Sequence, residues 1–307
     1  MTSPDARYLR RRESIERAKR ASKFGRAALQ LRKHLIHWWF VNQSAPIRQI
    51  SIPKDKNLLI SVAFNDPELI ELQARALKKF VSGDYSFLVV DNSPDSDKRA
   101  AINLLSRELG FFYCPSPPNP YSWVDPSISH SLVLDWAWKN IVRRSAPKIV
   151  VFLDHDVFPI RDVAIDQLIQ GSLAAGYRRE SGERWLLWPG LLALNFSRID
   201  SFNPTFMPRN DTDSGGSLWW RVFSRVAESN FRFLKREDLV FGDTSNRFGD
   251  GSSGEMHILD GSWLHLVDGS GWSDGVAKTH KLPLGGKRLT VEGLVAFAHS
   301  IPTSADS

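Results

Sequence analysis

Between Asn57 and Asp154 the chain alternates short apolar runs with helical patterns, and this alternation restricts the available folds more than any other feature. "NLLISVAF" (57–64), "YSFLVVDNS" (85–93), "FFYCP" (111–115) and "KIVVFLD" (148–154) read as strands. Between them, "DPELIELQARALKKF" (66–80), "DSDKRAAINLLSREL" (95–109) and "ISHSLVLDWAWKNIVRR" (128–144) read as helices. The first helix opens with Asp66 as N-cap and Pro67 at its first position, then spaces Leu69, Leu72, Ala76 and Leu77 at helical intervals. Apolar strands each followed by a helix predict an α/β chain with a mostly parallel sheet covered by helices on both faces. Such sheets bind ligands at the carboxyl ends of their strands.

The remainder is less periodic. "RWLLWPGLLALNFS" (184–197) predicts one or two apolar strands broken at Pro189-Gly190, and residues 214–228 predict a helix. Residues 235–286 read as loops with short strands such as "SWLHLV" (262–267). The expected organisation is a helical extension and linker at 1–50 and a main domain at 51–307, its two parts 57–160 and 161–300.

Charge is divided along the chain. Residues 1–50 hold twelve Lys and Arg against three Asp and Glu, a net +9, whereas the rest holds 28 against 31, a net −3. A basic helix ending in Leu35, Ile36, Trp38, Trp39 and Phe40 fits an anionic membrane surface, or else a solvated arm whose aromatic end packs on the main domain. The near-neutral body is not a nucleic-acid-binding surface. No window supplies the roughly 18 uncharged apolar residues that a membrane span takes. Cys114 is the only cysteine, which excludes an intrachain disulfide. With no secretory pattern evident, a cytoplasmic location, peripheral to the inner membrane face if the helix binds there, is expected.

"KIVVFLDHDVFPI" (148–160) ends a buried strand in two carboxylates, Asp154 and Asp156. On an extended chain, residues i and i+2 point the same way. Two such carboxylates repel unless a proton or cation lies between them. A hard divalent metal shared with a diphosphate ligand fits, and a polar turn after a strand is the simpler alternative. His155 points away from both and is not counted as a ligand.

The order "LLISVAF", "FLVVDNS", "IVVFLDHDVFP" resembles glycosyltransferases of the GT-A fold, of the family 2 kind, over roughly residues 57–270. The resemblance implies a nucleotide-sugar donor, Mn2+ or Mg2+ on its diphosphate, and a glycan or lipid-linked acceptor, as in bacterial surface-glycan synthesis. It implies that Ala63 and Phe64 line the base pocket and that Asp91 holds base or ribose. Asp154 would face ribose and metal, and Asp156 the metal. Ser129, with His130, would meet the donor at a helix start. Trp188 would stack on a sugar, or serve as a core residue. "DSGG" (213–216) is similar to a D-T-G-G form of the family. Asp213 would be the base of an inverting transfer, and Gly215 and Gly216 would bring backbone amides to the acceptor. Asp211, Glu237 and Asp238 are rivals to Asp213. His265 would be a third metal ligand, with His299 as the alternative. A degenerate binding domain and a nucleotidyltransferase are the competing readings. The latter usually has a Gly-rich, basic loop after the first strand, which "VAFNDPEL" lacks.

Overall fold

The computed structural model describes residues 23–44, 52–54, 56–209, 212–241, 254–266 and 290–300. Its strands are β1 (Asn57–Ala63), β2 (Val81–Ser82), β3 (Tyr85–Asp91), β4 (Phe112–Pro115), β5 (Ile149–Asp154), β6 (Val157–Pro159) and β7 (Val163–Ala164). They continue with β8 (Ala174–Ser181), β9 (Arg184–Asn195), β10 (Phe231–Leu234), β11 (Arg236–Phe241), β12 (Gly254–Leu259) and β13 (Trp263–Leu266). The longer helices are α1 (Lys23–Val41), α2 (Pro67–Phe80), α3 (Ser96–Leu109), α4 (Pro126–Ala137, carried on to Ser145 through a π-helical turn) and α5 (Val291–Ser300).

The apolar runs become the centre of a seven-stranded sheet ordered β10-β8-β9-β5-β1-β3-β4. β5, β1, β3 and β4 run parallel, and β9 is antiparallel to both β5 and β8. Side chains of a strand alternate between faces. Accordingly Leu58, Ile60 and Val62 pack with α4 on one face, while Leu59 and Ala63 pack with α2 and α3 on the other. The helices start where capping chemistry dictates. Asp66, Asp95 and Asp125 each accept amide bonds from the first turn of α2, α3 and α4.

A second, four-stranded sheet, β11-β12-β13-β6, is antiparallel throughout. Its apolar face and α5 pack on the outer side of α2, through Leu69, Leu72, Phe80, Phe158, Leu264 and Phe297. α2 therefore lies between the two sheets, which explains why it is buried on most sides.

One expectation is narrowed and one changes. Of the one or two strands expected over 184–197, the structure has one, Arg184–Asn195. Pro189-Gly190 instead falls in a bulge, where register moves from Gly176 opposite Leu192 to Arg178 opposite Leu187. Residues 214–228 do not form a helix. A four-residue turn, Leu218–Arg221, is followed by single 3-10 turns. The parts 57–160 and 161–300 share one core, since β8, β9 and β10 complete the same sheet. Of the extension, residues 1–22 and most of the linker lie outside the described residues. α1 itself is docked on α4. Phe40 is fully buried, His37 Nε2 lies 2.7 Å from Asp135 Oδ2, and Trp136 Nε1 donates to the Gln43 carbonyl at 2.9 Å.

Candidate active site

The parallel strands end level with one another. Ala63 lies opposite Asp91, Val62 opposite Asp154, and Asp91 opposite Pro115. Ala63, Asp91 and Asp154 thus fall on one carboxyl edge.

At that edge the D-x-D is not an extended segment. β5 stops at Asp154, His155 and Asp156 form a turn, and the chain re-enters as β6 in the other sheet. Gln73, fully buried on α2, closes this turn. Its Nε2 donates to the Asp154 and Val157 carbonyls, both at 2.8 Å. His155 turns inward, with Nδ1 3.2 Å from the Val62 carbonyl. The two carboxylates acquire different neighbours. Asp154 Oδ1 is 3.3 Å from His130 Nε2 of α4, whereas Asp156 Oδ1 is 3.9 Å from His265 Nε2 of β13. Burial pushes the Asp154 carboxyl up from its usual range. His130 and Arg179 oppose that rise, and the nearby charge of Asp213 adds to it.

His265 faces a second histidine, His257 of β12, Nδ1 to Nδ1 at 3.1 Å. One nitrogen must donate and the other accept. His257 Nε2 lies 3.6 Å from Asp238 Oδ1, which favours a proton on that nitrogen and leaves Nδ1 as acceptor. His265 then donates from Nδ1 and turns the Nε2 lone pair toward Asp156. Burial holds the imidazole neutral, its pKa pushed down to about 3. A lone pair facing a carboxylate is a donor set suited to a cation. Two atoms 3.9 Å apart can both reach one at ~2.1 Å. Among the described residues, however, no three of His, Cys, Asp and Glu gather closely enough to hold a metal. The expected set of Asp154, Asp156 and His265 is therefore not drawn together by the protein alone. His299 is exposed on α5. Trp188, in the bulged part of β9, packs against His265 with ring centroids 4.5 Å apart and planes tilted by 46°. A Cβ at Gly190 would stand 2.0 Å from the Trp188 ring, so that glycine makes room for it.

Asp213 also reaches this edge. Its Oδ1 accepts from Ser127 Oγ (2.5 Å) and the Ser214 amide (2.8 Å), and its Oδ2 pairs with Arg179 Nη1 (3.1 Å). The rivals differ. Asp211 lies outside the described residues, Asp238 is locked by Arg236 at 2.5 and 2.9 Å, and Glu237 is exposed on β11. Gly215 and Gly216 do not offer amides to a ligand. Both are buried, and their N–H groups donate to the Phe206 and Asp213 carbonyls. Their glycine identity follows from crowding. Gly215 has φ +85° with Pro189 2.8 Å from a would-be Cβ, and Gly216 would strike Thr212.

The expected donor contacts also move. Ser129 is fully buried, its Oγ accepting from Asn92 and Asn119, both at 3.0 Å. It ties the loop before α4 to the end of β3. Asp91 is fully buried as well, accepting from the Ser93 amide and Tyr113 Oη, each at 2.9 Å. It shapes the turn after β3. Ala63 is fully buried and Phe64 nearly so, and the aromatic that stands open here is Trp123, whose ring meets Phe64 edge-on at 5.4 Å.

Sequence reasoning missed Arg179, His257, Gln73, Ser127 and Trp123. Gln73 carried a signal, as the lone amide in the apolar stripe of α2. Arg179 sits on β8, a strand that was not anticipated.

No family model and no curated protein matches the chain. Solved structures do. The chain is similar to the galactosyltransferase LgtC in complex with donor and acceptor sugar analogues, at 13% identity and TM-score 0.39, over 58% of this chain and 73% of that one. It is similar to the mannosyltransferase PcManGT from Pyrobaculum calidifontis in complex with GDP-Man and Mn2+ (15%, TM-score 0.38), spanning 62% of this chain and only 59% of that one. It is also similar to glucosyl-3-phosphoglycerate synthase from Mycobacterium tuberculosis in complex with Mn2+, uridine diphosphate and glucosyl-3-phosphoglycerate (14%, TM-score 0.38), over 58% and 69%. None of these likenesses assigns a role to a residue of this chain.

Proposed function

We propose that the chain is a GT-A-type glycosyltransferase that moves a sugar from a nucleotide-diphosphate donor to an acceptor hydroxyl. The observation that carries this reading is the convergence of Asp154, Asp213, His130 and Arg179 at the carboxyl edge, beside the Asp156–His265 pair. Asp156 and His265 would hold Mn2+ or Mg2+, and Asp154, which the protein alone does not gather with them, would have to close on the cation to complete the set. When bound, the cation offsets charge that builds on the departing diphosphate.

Asp213 is the base. The acceptor oxygen bonds to the anomeric carbon, its proton passes to the Asp213 carboxylate, and the bond to the diphosphate oxygen breaks with its electron pair leaving on the diphosphate. Attack from the face opposite the leaving group inverts the centre. Ser127 and Arg179 fix the Asp213 carboxylate in place. Trp188 offers a flat apolar surface to a sugar ring. The acceptor is a glycan or lipid-linked hydroxyl, in keeping with surface-glycan assembly at the inner face of a membrane.

Calorimetric titration of UDP-, GDP- and dTDP-sugars, with and without Mn2+, tests this reading. One donor should bind only with the metal, and Asp156→Asn should weaken it at least ~10-fold. Binding that ignores both metal and substitution, or no binding at all, removes the reading. A bound donor that is never hydrolysed or transferred favours the non-catalytic alternative.

A further inference from the structure

Seven large apolar side chains stand exposed among the described residues, and six lie in two places. Leu31, Leu35, Trp38 and Trp39 are on α1, and Trp123 and Val124 are on the loop before α4. Leu31, Leu35 and Trp38 are 60%, 58% and 67% exposed, and their i, i+4, i+7 spacing sets them in one stripe. Phe40 follows Leu31 by about two and a half helical turns and so lies on the opposite side. It is fully buried.

α1 is therefore apolar on two faces. The inner one is fastened to α4 by Phe40, by the His37–Asp135 pair and by Asn140 donating to the Val41 carbonyl at 3.1 Å. The outer one is displayed on a fixed support. Lys23–Val41 carries four Lys and Arg and no acidic residue.

The loop adjoins this helix. Tyr121 packs on the same cluster as Ile36 and Phe40, and Arg32 lies close enough to oppose the rise that burial imposes on the Tyr121 hydroxyl. Through Trp123 and Phe64 the loop also reaches the end of β1, at the rim of the candidate site.

We infer that the outer stripe of α1, together with Trp123 and Val124, docks on an anionic lipid bilayer and sets the rim of the candidate site at the headgroups. Leucines reaching the acyl boundary, tryptophans at headgroup level and basic side chains among anionic lipids form the pattern of an interfacial helix. A second copy is a poorer occupant, because it would bring together two cationic helices that contain no acid. The docking does not depend on the transfer reaction. Only the corollary, that the acceptor is drawn from the membrane, rests on the proposed function.

The test is co-sedimentation of the full chain with vesicles of phosphatidylcholine alone and of phosphatidylcholine with phosphatidylglycerol. The chain should pellet with the anionic vesicles and be released by salt. The double substitution Leu35→Glu, Trp38→Glu should lower the bound fraction about tenfold while leaving thermal unfolding and donor binding unchanged. Equal partitioning of both proteins, or equal binding to neutral and anionic vesicles, overturns the inference. So does a dimer in sedimentation equilibrium that the same substitution dissolves while vesicle binding persists. Donor binding is read separately, so its failure would count against the transfer reaction and not against the docking.

Discussion

An imidazole enclosed between two sheets resists protonation, and His265 is such a group. Burial first, then His257, Arg179 and Arg236, push its pKa down to about 3. In the unfolded chain it titrates near ~6.5. Between those values the unfolded chain binds a proton that the folded chain refuses, so stability falls as pH drops below about 6.5. The slope is at most about 1.4 kcal/mol per pH unit. In metal-free protein, urea midpoints should fall from about pH 7 to about pH 5 more steeply for the wild type than for His265→Gln; parallel profiles would dismiss the neutral imidazole. Asp154 acts in the opposite sense, since its raised carboxyl favours the protonated form and loses that contribution as pH rises. The residue types at this edge were legible in sequence. Asp154, Asp156, Asp213, Trp188 and His265 do lie around it. Their partners were not, because Arg179 and His257 reach them across 34 and 8 positions of chain that no local pattern links.

At the scale of elements, α2 decides the shape of the D-x-D turn. Gln73 is its fully buried amide, and Gln73→Leu would keep most of the volume while stripping donors from two enclosed carbonyls. Each abandoned carbonyl costs ~1–3 kcal/mol, so a loss of about 2–4 kcal/mol in urea unfolding is expected, together with weaker donor binding. A change under about 1 kcal/mol would show that the turn holds itself. The elements read correctly from sequence were those with redundant cues. β1, β3 and β5 are apolar on both faces, and α2, α3 and α4 carry acidic caps. β8 escaped because only its first half is buried, so "AAGYRRES" shows no sustained period. The helix expected at 214–228 failed at both ends: Gly215, at φ +85°, keeps the first residues out of it, and Val222, at φ −129°, stops the turn begun at Leu218.

At the scale of the whole molecule, two sheets meet within three residues. Asp154 ends β5 of the seven-stranded sheet. The Asp156 carbonyl accepts from the Leu266 amide at 3.0 Å, and β6 then pairs with β13, Val157 opposite His265. Asp156 and His265 consequently belong with the smaller sheet, and Asp154 and Arg179 with the larger. Hydrogen exchange should register this. A nucleotide sugar with Mn2+ should slow exchange at 157–158 and 263–266 more than in β1 or β3, whose amides are already protected. Unchanged exchange in those short strands would mean that the two sheets are already rigid without ligand. The D-x-D thus straddles a seam, with one carboxylate on either side of it, and a ligand held by both would stitch the two sheets together.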